Sequence, residues 1–212
     1  MKSLVFGFAF LLFGHCSSAF ETINSDTINS GTKKLLFNVL LDKKPVGTHG
    51  FEITRGDGTI VVNSKLQLKA KFLGLFPVNY NHESTEYWKN GCIVAVNAKT
   101  TKRGKTIVVK AKSKPQGLEV LSNNRVEVLK GCIKSFAYWD PLLLKDSQLL
   151  NTENGDLVSV QVETTANETD TSKTILISSS EANIHLGYDD HDQWLSLRSK
   201  LNVGGELHYI RR

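Results

Sequence analysis

The segment from Val78 to Trp88 carries the side chains with the greatest capacity for chemistry in this chain. If it is a strand, its side chains alternate between two faces, because successive Cβ atoms point to opposite sides. One face then carries Tyr80, His82, Glu86 and Trp88. The other carries Asn79, Asn81, Glu83 and Tyr87. Since neither face is apolar, we expect one of them to line a cavity or a hydrogen-bonded site, and a satisfied buried network is favoured over a patch that holds a ligand.

His49 is a second unusual residue, because it shares a strand face with Phe51 and Ile53. A lone histidine on an apolar face is usually a core residue that donates a hydrogen bond to a backbone carbonyl. It gains a functional role if it meets His82 or Glu86 across the sheet. Trp139 is either a ligand anchor or a core residue, because its large ring carries one polar group that requires a partner.

Metal and nucleophile chemistry find little support in the spacing of residues. The histidines at 49, 82, 185, 191 and 208 show no HxH or HxxxH spacing, so a zinc site would need convergence in the fold. The run Asp189-Asp190-His191-Asp192 lacks the ligand spacing of a calcium loop and is interpreted as a solvated turn. There is no GxSxG elbow and no phosphate loop. We predict no metal and no cofactor, while hydrolysis by paired carboxylates stays open.

The elements that must position these side chains are β-strands. Residues 59–72 alternate over their whole length, which predicts a strand with one dry face and one wet face. Turn signals such as Gly56-Asp57-Gly58, Asn90-Gly91 and Arg103-Gly104 separate the predicted strands. The other strands are expected at 35–41, 46–55, 92–100, 105–112, 117–121, 156–164, 173–179, 182–188, 193–200 and 206–211.

This pattern predicts an all-β fold, a single antiparallel curved sheet that forms a roll or barrel-like domain over residues 34–212. One short helix is expected at 141–150, because Asp140 can cap it and Pro141 fits its first turn. Residues 20–33 are polar and are interpreted as a flexible leader.

The first nineteen residues have the pattern of an export signal. Lys2 precedes an apolar run from Leu4 to Phe13, and small residues lead to a cleavage site after Ala19. The segment is too short for a membrane anchor, and we expect no transmembrane segment in the mature chain. The protein is therefore expected to be exported, with the periplasm as the expected compartment.

The chain of 212 residues has 26 basic and 21 acidic residues, a net charge of +5. The lysines of Lys65–Lys71 and Lys110–Lys114 alternate with other residues, which predicts one solvated face, with weak attraction to anionic lipid head groups or glycans as the alternative. Because the basic residues are dispersed, we expect no nucleic-acid partner. Cys92 and Cys132 form an even pair outside the signal, so a disulfide is favoured over two free thiols.

Several stretches together resemble a family of uncharacterised exported proteins of proteobacteria, a domain of unknown function. The matching stretches are 41–49, 80–83, 86–92, 138–139 and 149–152 with Gly155. The resemblance implies a Gram-negative periplasmic location and an all-β fold, and it supplies no activity. It adds Asn151 to the candidate site and also supports His49, His82, Glu86 and Trp88.

The ligand-binding residues predicted from these arguments are His49, Tyr80, His82, Glu86, Trp88, Trp139 and Asn151. The favoured function is a non-enzymatic binding or carrier protein for a small or lipid-like ligand on the inner face of the sheet. One alternative is a hydrolase-type enzyme that uses His82 and Glu86, with His49 as a third candidate, and it requires these side chains to converge in a cleft. The other is an envelope structural or interaction protein that pairs through a sheet edge.

Overall fold

The computed structural model describes residues 31–72, 76–166, 172–201 and 205–212, and for the described residues between 71 and 78 it describes the backbone alone. The described chain consists mainly of β-strands, which confirms the predicted all-β class. The strands are β1 Gly31–Leu41, β2 Lys44–Gly56, β3 Thr59–Phe72, β4 Phe76–Lys89, β5 Cys92–Lys102, β6 Lys105–Lys114, β7 Gly117–Ser122, β8 Arg125–Leu129, β9 Gln148–Asn151, β10 Asp156–Ser159, β11 Gln161–Ala166, β12 Lys173–Ser178, β13 Asn183–Tyr188, β14 Trp194–Lys200 and β15 Glu206–Arg211.

Thirteen of these strands form one antiparallel sheet in the order β11-β12-β13-β14-β15-β1-β2-β3-β4-β5-β6-β7-β8. The chain returns to its own beginning, because β15 pairs with β1 and joins the two halves of the sheet. The sheet is not closed, since β8 and β11 are its two edges. Strands β9 and β10 pair only with each other in a separate hairpin.

Tight hairpins determine which side chains share each end of the sheet. Asp57, Asn90 and Arg103 each adopt positive φ and are followed by a glycine that does the same, as two-residue hairpins of this type require. The sequence predicted these three turns correctly. We call the end that carries the Asp42-Lys43 turn the Asp42 end, and the opposite end, which carries Asn90-Gly91, the Asn90 end.

The inner face of the sheet carries the core. Phe37 and Trp194 pack with ring centroids 4.1 Å apart, and Tyr209 lies 6.2 Å from each of them. In β3 the described side chains alternate as predicted: Val62 and Leu66 are buried, whereas Asn63, Lys65, Gln67 and Lys69 are exposed.

A segment between β8 and β11 covers part of this inner face, and we call residues 130–160 the inner segment. The Cys92–Cys132 disulfide ties its start to β5, which confirms the favoured pairing. The amide of Ile93 donates to the carbonyl of Ile133 at 2.8 Å. Leu149 and Leu150 on β9 are fully buried in the same core as the sheet. The inner segment therefore fills space that an empty barrel would leave open.

Four predictions about the elements were wrong, and one of them is the strand expected at 156–164, which is divided into β10 and β11 in separate sheets. The helix expected at 141–150 is one 3-10 turn over Pro141–Leu144, and residues 148–151 form β9 instead. Asp140 does cap that turn, because its side chain accepts from the amide of Leu142. Strand β8 was missed. Strand β1 begins at Gly31, inside the expected leader.

The predicted signal with its cleavage site after Ala19, and the leader up to residue 30, lie outside the described residues. Among the helices in the described ranges, none has the length and apolar character needed to cross a bilayer.

Candidate functional site

The register of the sheet places His49 and His82 in one row on the inner face. His49 on β2 lies opposite Leu66 on β3, and Leu66 lies opposite His82 on β4. Thr100 on β5 continues the row beside His82. Since neighbouring strands are about 4.8 Å apart, the two histidines start roughly 10 Å from each other at their backbones. All four side chains of this row are buried.

His49 is a neutral histidine with one free ring nitrogen. Its Nε2 is 2.8 Å from the hydroxyl oxygen of Ser64, and its ring stacks at 4.1 Å on Phe51. Burial, with a smaller contribution from His82, lowers the pKa of His49 to about 3. Its Nδ1 is buried and has no hydrogen-bond partner among the described residues. Because an unpaired buried polar atom costs free energy, this atom marks a place where a partner would stabilise the protein.

His82 is better satisfied. Its Nδ1 is 2.9 Å from the Thr100 hydroxyl, and its Nε2 makes a long contact of 3.5 Å with the hydroxyl of Thr152 on the inner segment. Burial lowers the pKa of His82, although the carboxylate of Glu153 opposes this effect. The side chain is therefore held neutral and bridges the sheet to the inner segment.

Tyr80 lies two residues before His82 on the same face of β4. Its hydroxyl is buried and has no hydrogen bond of normal geometry within the described chain. Burial raises the pKa of Tyr80, and the Glu153 carboxylate adds to the rise through its charge and through a weak interaction with the hydroxyl. The same carboxylate contributes to raised pKa values at Tyr138 and Tyr209, where burial is the main cause. We call Tyr80, His82, His49 and Glu153 the inner polar cluster.

Glu86 belongs to a different site, nearer the Asn90 end. Its Oε2 accepts from the indole Nε1 of Trp88 at 3.0 Å and from the hydroxyl of Ser135 at 2.7 Å. Burial raises the pKa of Glu86 to about 6, against the two hydrogen bonds, which lower it. Since Ser135 lies on the inner segment, Glu86 fastens that segment to the sheet.

Trp139 and Asn151 have structural surroundings. The Trp139 ring packs edge-on against Trp88 with centroids 5.8 Å apart, and the Arg55 guanidinium lies 5.5 Å from its centroid. Asn151 accepts from the amide of Glu153 through its Oδ1, and its carbonyl accepts from the amide of Gly155. Asn151 therefore shapes the turn that presents Thr152 and Glu153 to the inner polar cluster.

The structure thus separates the seven predicted site residues into groups. His49, Tyr80 and His82 share the inner polar cluster, whereas Glu86, Trp88 and Trp139 form a packed group nearer the other end. Glu86 hydrogen-bonds to Trp88 and Ser135, and neither histidine is its partner. The convergence that a His/Glu hydrolase requires is absent from the described contacts of these residues.

Sequence reasoning missed Ser64, Thr100, Thr152 and Glu153. Ser64 and Thr100 could have been found, because both lie on the inner face of correctly predicted strands. Thr152 lies in the matched stretch 149–152 and Glu153 directly follows it, but the place of both side chains depends on the fold of the inner segment.

The acidic run near the Asn90 end behaves as a turn. Asp189, Asp190 and His191 bring potential ligand atoms within 4.8 Å of one another at the surface. The Oδ1 of Asp189 accepts from the amides of His191 and Gln193 at 3.0 and 2.8 Å, so hydrogen bonds within the loop account for its conformation.

Comparison with known proteins agrees with this architecture. The chain belongs to the family DUF6134, a domain of unknown function, whose model matches residues 37–212. This confirms the resemblance to an uncharacterised domain family. The chain is also similar to the crystal structure of a beta-barrel-like protein of domain of unknown function DUF1849 from Brucella abortus, with a TM-score of 0.60 and 12% sequence identity. That match covers 87% of this chain and 97% of the other, and it shows the fold alone. No curated protein matches the chain.

Proposed function

We propose that this member of the DUF6134 family is a periplasmic binding protein that holds a small ligand at the inner polar cluster. The observation that carries the proposal is the buried Nδ1 of His49, which has no partner among the described residues, together with the buried hydroxyl of Tyr80, which meets the Glu153 carboxylate without a hydrogen bond of normal geometry. Buried polar groups in folded proteins nearly always have partners. A polar ligand placed between these two neighbouring rows of the inner face would give the His49 Nδ1 its missing partner and the Tyr80 hydroxyl a hydrogen bond of normal geometry.

The charges around the cluster restrict the ligand. His49 and His82 have lowered pKa values and stay neutral, and Tyr80 stays protonated because its pKa is raised. Glu153 contributes a negative charge, and no lysine or arginine of the described chain contributes to these shifts. An anionic ligand would therefore be repelled. The ligand that fits is neutral or cationic and carries both a hydrogen-bond donor and an acceptor.

The periplasmic part of the proposal has separate support. The Cys92–Cys132 disulfide indicates a location outside the cytoplasm, where disulfides persist. The predicted export signal of residues 1–19 and the resemblance to exported proteins add to it.

Native mass spectrometry of the protein purified from its own host tests the proposal. The wild-type protein and Tyr87→Phe, which removes an exposed hydroxyl from the opposite face of β4, should both carry the same bound molecule. Tyr80→Phe and His49→Phe should lose it. A high-resolution structure with one ordered water bonded to both atoms, together with no bound molecule in any sample, would refute the proposal.

A second candidate is an envelope interaction protein, because β8 is an unpaired edge with exposed side chains. Arg125 to Val128 are all exposed, and β8 pairs only with β7 in the described chain. Edge strands of this kind accept a strand from a partner. Crosslinking in cells through a photoreactive residue at position 126, in place of Val126, should capture a partner protein. If the variant is folded and no crosslinked partner is found, the interaction hypothesis is contradicted.

A further inference from the structure

We propose that the outer face of β6, β7 and β8 docks on the surface of an anionic lipid bilayer. This inference concerns the outer face of the sheet and does not depend on a ligand at the inner polar cluster. It starts from four exposed apolar side chains at the β8 edge. Their exposed fractions are 40% for Val108, 39% for Leu121, 61% for Val126 and 42% for Val128.

The strand register makes these four side chains neighbours. Leu121 lies directly opposite Val126, and Val128 is two residues further along β8 on the same face. Val108 on β6 is two residues from Lys110, which lies opposite Leu121. We call Val108, Leu121, Val126 and Val128 the edge patch. Monomeric proteins usually cover a contiguous apolar patch at a sheet edge or interrupt it with charged side chains.

Basic side chains lie directly beside the edge patch. Lys110 is opposite Leu121, Lys99 is opposite Val108, and Lys112 lies two residues from Lys110 on the same face. All three are exposed. Lys110 and Lys112 form no ion pair within the described residues, so their charges are available. Two acidic side chains adjoin these lysines: Glu119 lies opposite Lys112 and pairs with Lys114, and Glu83 lies opposite Lys99 and pairs with Lys65.

This combination fits an anionic bilayer better than a second copy of the chain. Proteins that bind at a bilayer surface place apolar side chains into the interface and basic side chains against anionic head groups. A second copy packed face to face would bring these lysines close to their own equivalents in a protein of net charge +5. Pairing of two β8 edges would add a contact only five residues long.

The test is co-sedimentation with vesicles of phosphatidylcholine, with or without roughly one third phosphatidylglycerol. Every variant carries the same N-terminus, verified by mass spectrometry, so that differences report the edge patch and its lysines. The wild-type protein should sediment with the anionic vesicles and should not bind the neutral ones. Salt at about 0.5 M should release it, because the screening length is then only about 4 Å.

The decisive comparison is between two double variants with the same charge change. Lys110→Gln with Lys112→Gln should weaken binding about 30-fold, or roughly fivefold for each lysine near the surface. Lys44→Gln with Lys69→Gln removes two exposed lysines from β2 and β3 and should change binding by less than about twofold. Lys110→Arg with Lys112→Arg keeps the charge and should keep the binding.

A second pair of variants tests the apolar contribution. Val126→Ser with Val128→Ser should weaken binding about tenfold, because exposed valines that enter the interface lose their apolar contact. Ile210→Ser removes a side chain with 44% exposure from another part of the outer face and should have no effect. Circular dichroism verifies that each variant is folded.

Three results would overturn the inference. The first is equal binding by the lysine variant and its matched control. The second is full competition by soluble inositol hexakisphosphate together with unchanged binding of the valine variant, which would indicate a general anion effect. The third is a concentration-dependent dimer in sedimentation velocity that Val126→Ser abolishes, with no vesicle binding by the wild-type protein.

Discussion

Replacing Glu86 by glutamine should stabilise the protein at neutral pH and remove part of its pH dependence. Glu86 is a buried carboxyl on the inner face, opposite Val62 on β3 and Val96 on β5. Both of its donors, the Trp88 indole and the Ser135 hydroxyl, contact the same oxygen, Oε2. The amide oxygen of glutamine can take that position and keep both hydrogen bonds, while the buried negative charge disappears.

The size of the effect follows from the pKa of Glu86. Burial raises this pKa from 4.5 to about 6. Since one pKa unit corresponds to about 1.4 kcal/mol, the ionised side chain costs the folded state roughly 2 kcal/mol. Between pH 4.5 and 6 the folded state keeps a proton that the unfolded state has released. The Glu86 contribution to the free energy of unfolding therefore falls as pH rises through this window, and the loss persists above it.

Urea denaturation at a series of pH values from 4 to 8 measures the prediction. The difference in unfolding free energy between Glu86→Gln and wild type should rise by about 2 kcal/mol from pH 4 to pH 7. Taking the difference cancels the contribution of the histidines, which is the same in both proteins. Their lowered pKa values make the unfolding free energy rise with pH, opposite to the effect of Glu86. The rise should be complete near pH 6.5, slightly above the pKa of Glu86.

Glu83→Gln is the matched control, because Glu83 is an exposed glutamate on the opposite face of β4 and pairs with Lys65. Its effect should stay within about 0.5 kcal/mol at every pH, as for most exposed ion pairs. If Glu86→Gln destabilises the protein at pH 7, or if its effect is the same at pH 4 and pH 7, burial does not raise the pKa of the Glu86 carboxyl as inferred.

Three further perturbations test other parts of the structure. For His49→Phe, the unfolding free energy relative to wild type should rise by about 1.4 kcal/mol per pH unit as pH falls from 6.5 towards 4, because His49 must lose its proton to stay buried. Urea denaturation at each pH measures this difference. Equal pH dependence of the unfolding free energy in the two proteins would contradict it. Leu150→Ala should cost about 2–5 kcal/mol in urea denaturation, whereas Leu142→Ala on the exposed side of the 3-10 turn should change stability by less than about 0.5 kcal/mol; equal effects would mean that β9 is not packed inside. Replacing Cys92 and Cys132 by serine should cost roughly 4 kcal/mol, measured by denaturation with and without reductant, because the bond closes a loop with a sequence separation of 40. An unchanged denaturation midpoint would show that the loop is already constrained without it.

Alternation along the strands made much of the sheet predictable. The pattern of β3 reports burial directly, because one face packs on the core and the other meets water. The turns at Asp57 and Asn90 were predictable because two-residue hairpins with positive φ favour Asp-Gly and Asn-Gly, and the turn at Arg103 was predictable from Gly104. Alternation along β4 also correctly predicted that His82 and Glu86 share one face, and both are buried.

The inner segment was not predictable in the same way. Leu149 and Leu150 are adjacent buried residues, and a short apolar run cannot be assigned to helix or strand by periodicity alone. The capping signal at Asp140 was real, but it starts a single 3-10 turn. Strand β8 was missed because Val126 and Val128 face outward at an edge, so the run has little burial to produce a core pattern.

The site was predictable only in part, because the sequence does not show which side chains on one strand face come within contact distance. A strand face shows which side chains point inward, but four residues of strand separate His82 from Glu86 by about 13 Å along the backbone. Whether they meet depends on what fills the space between them. Here Ser135 of the inner segment reaches Glu86 while Thr152 reaches His82, so one segment serves both and keeps them apart.

The inner segment also limits the kind of ligand that this fold can hold. Leu149 and Leu150 are fully buried against the sheet, so a long acyl chain could enter the interior only by displacing them. Exposing two leucines would cost roughly 3–6 kcal/mol before any contact with the ligand was made. The turn from Thr152 to Gly155 is different, because Glu153 is exposed and the contact from Thr152 to His82 is long. A compact polar molecule could replace that contact and reach His49 and Tyr80 with the core intact. The packing at the inner polar cluster therefore favours the small ligand over the lipid-like one.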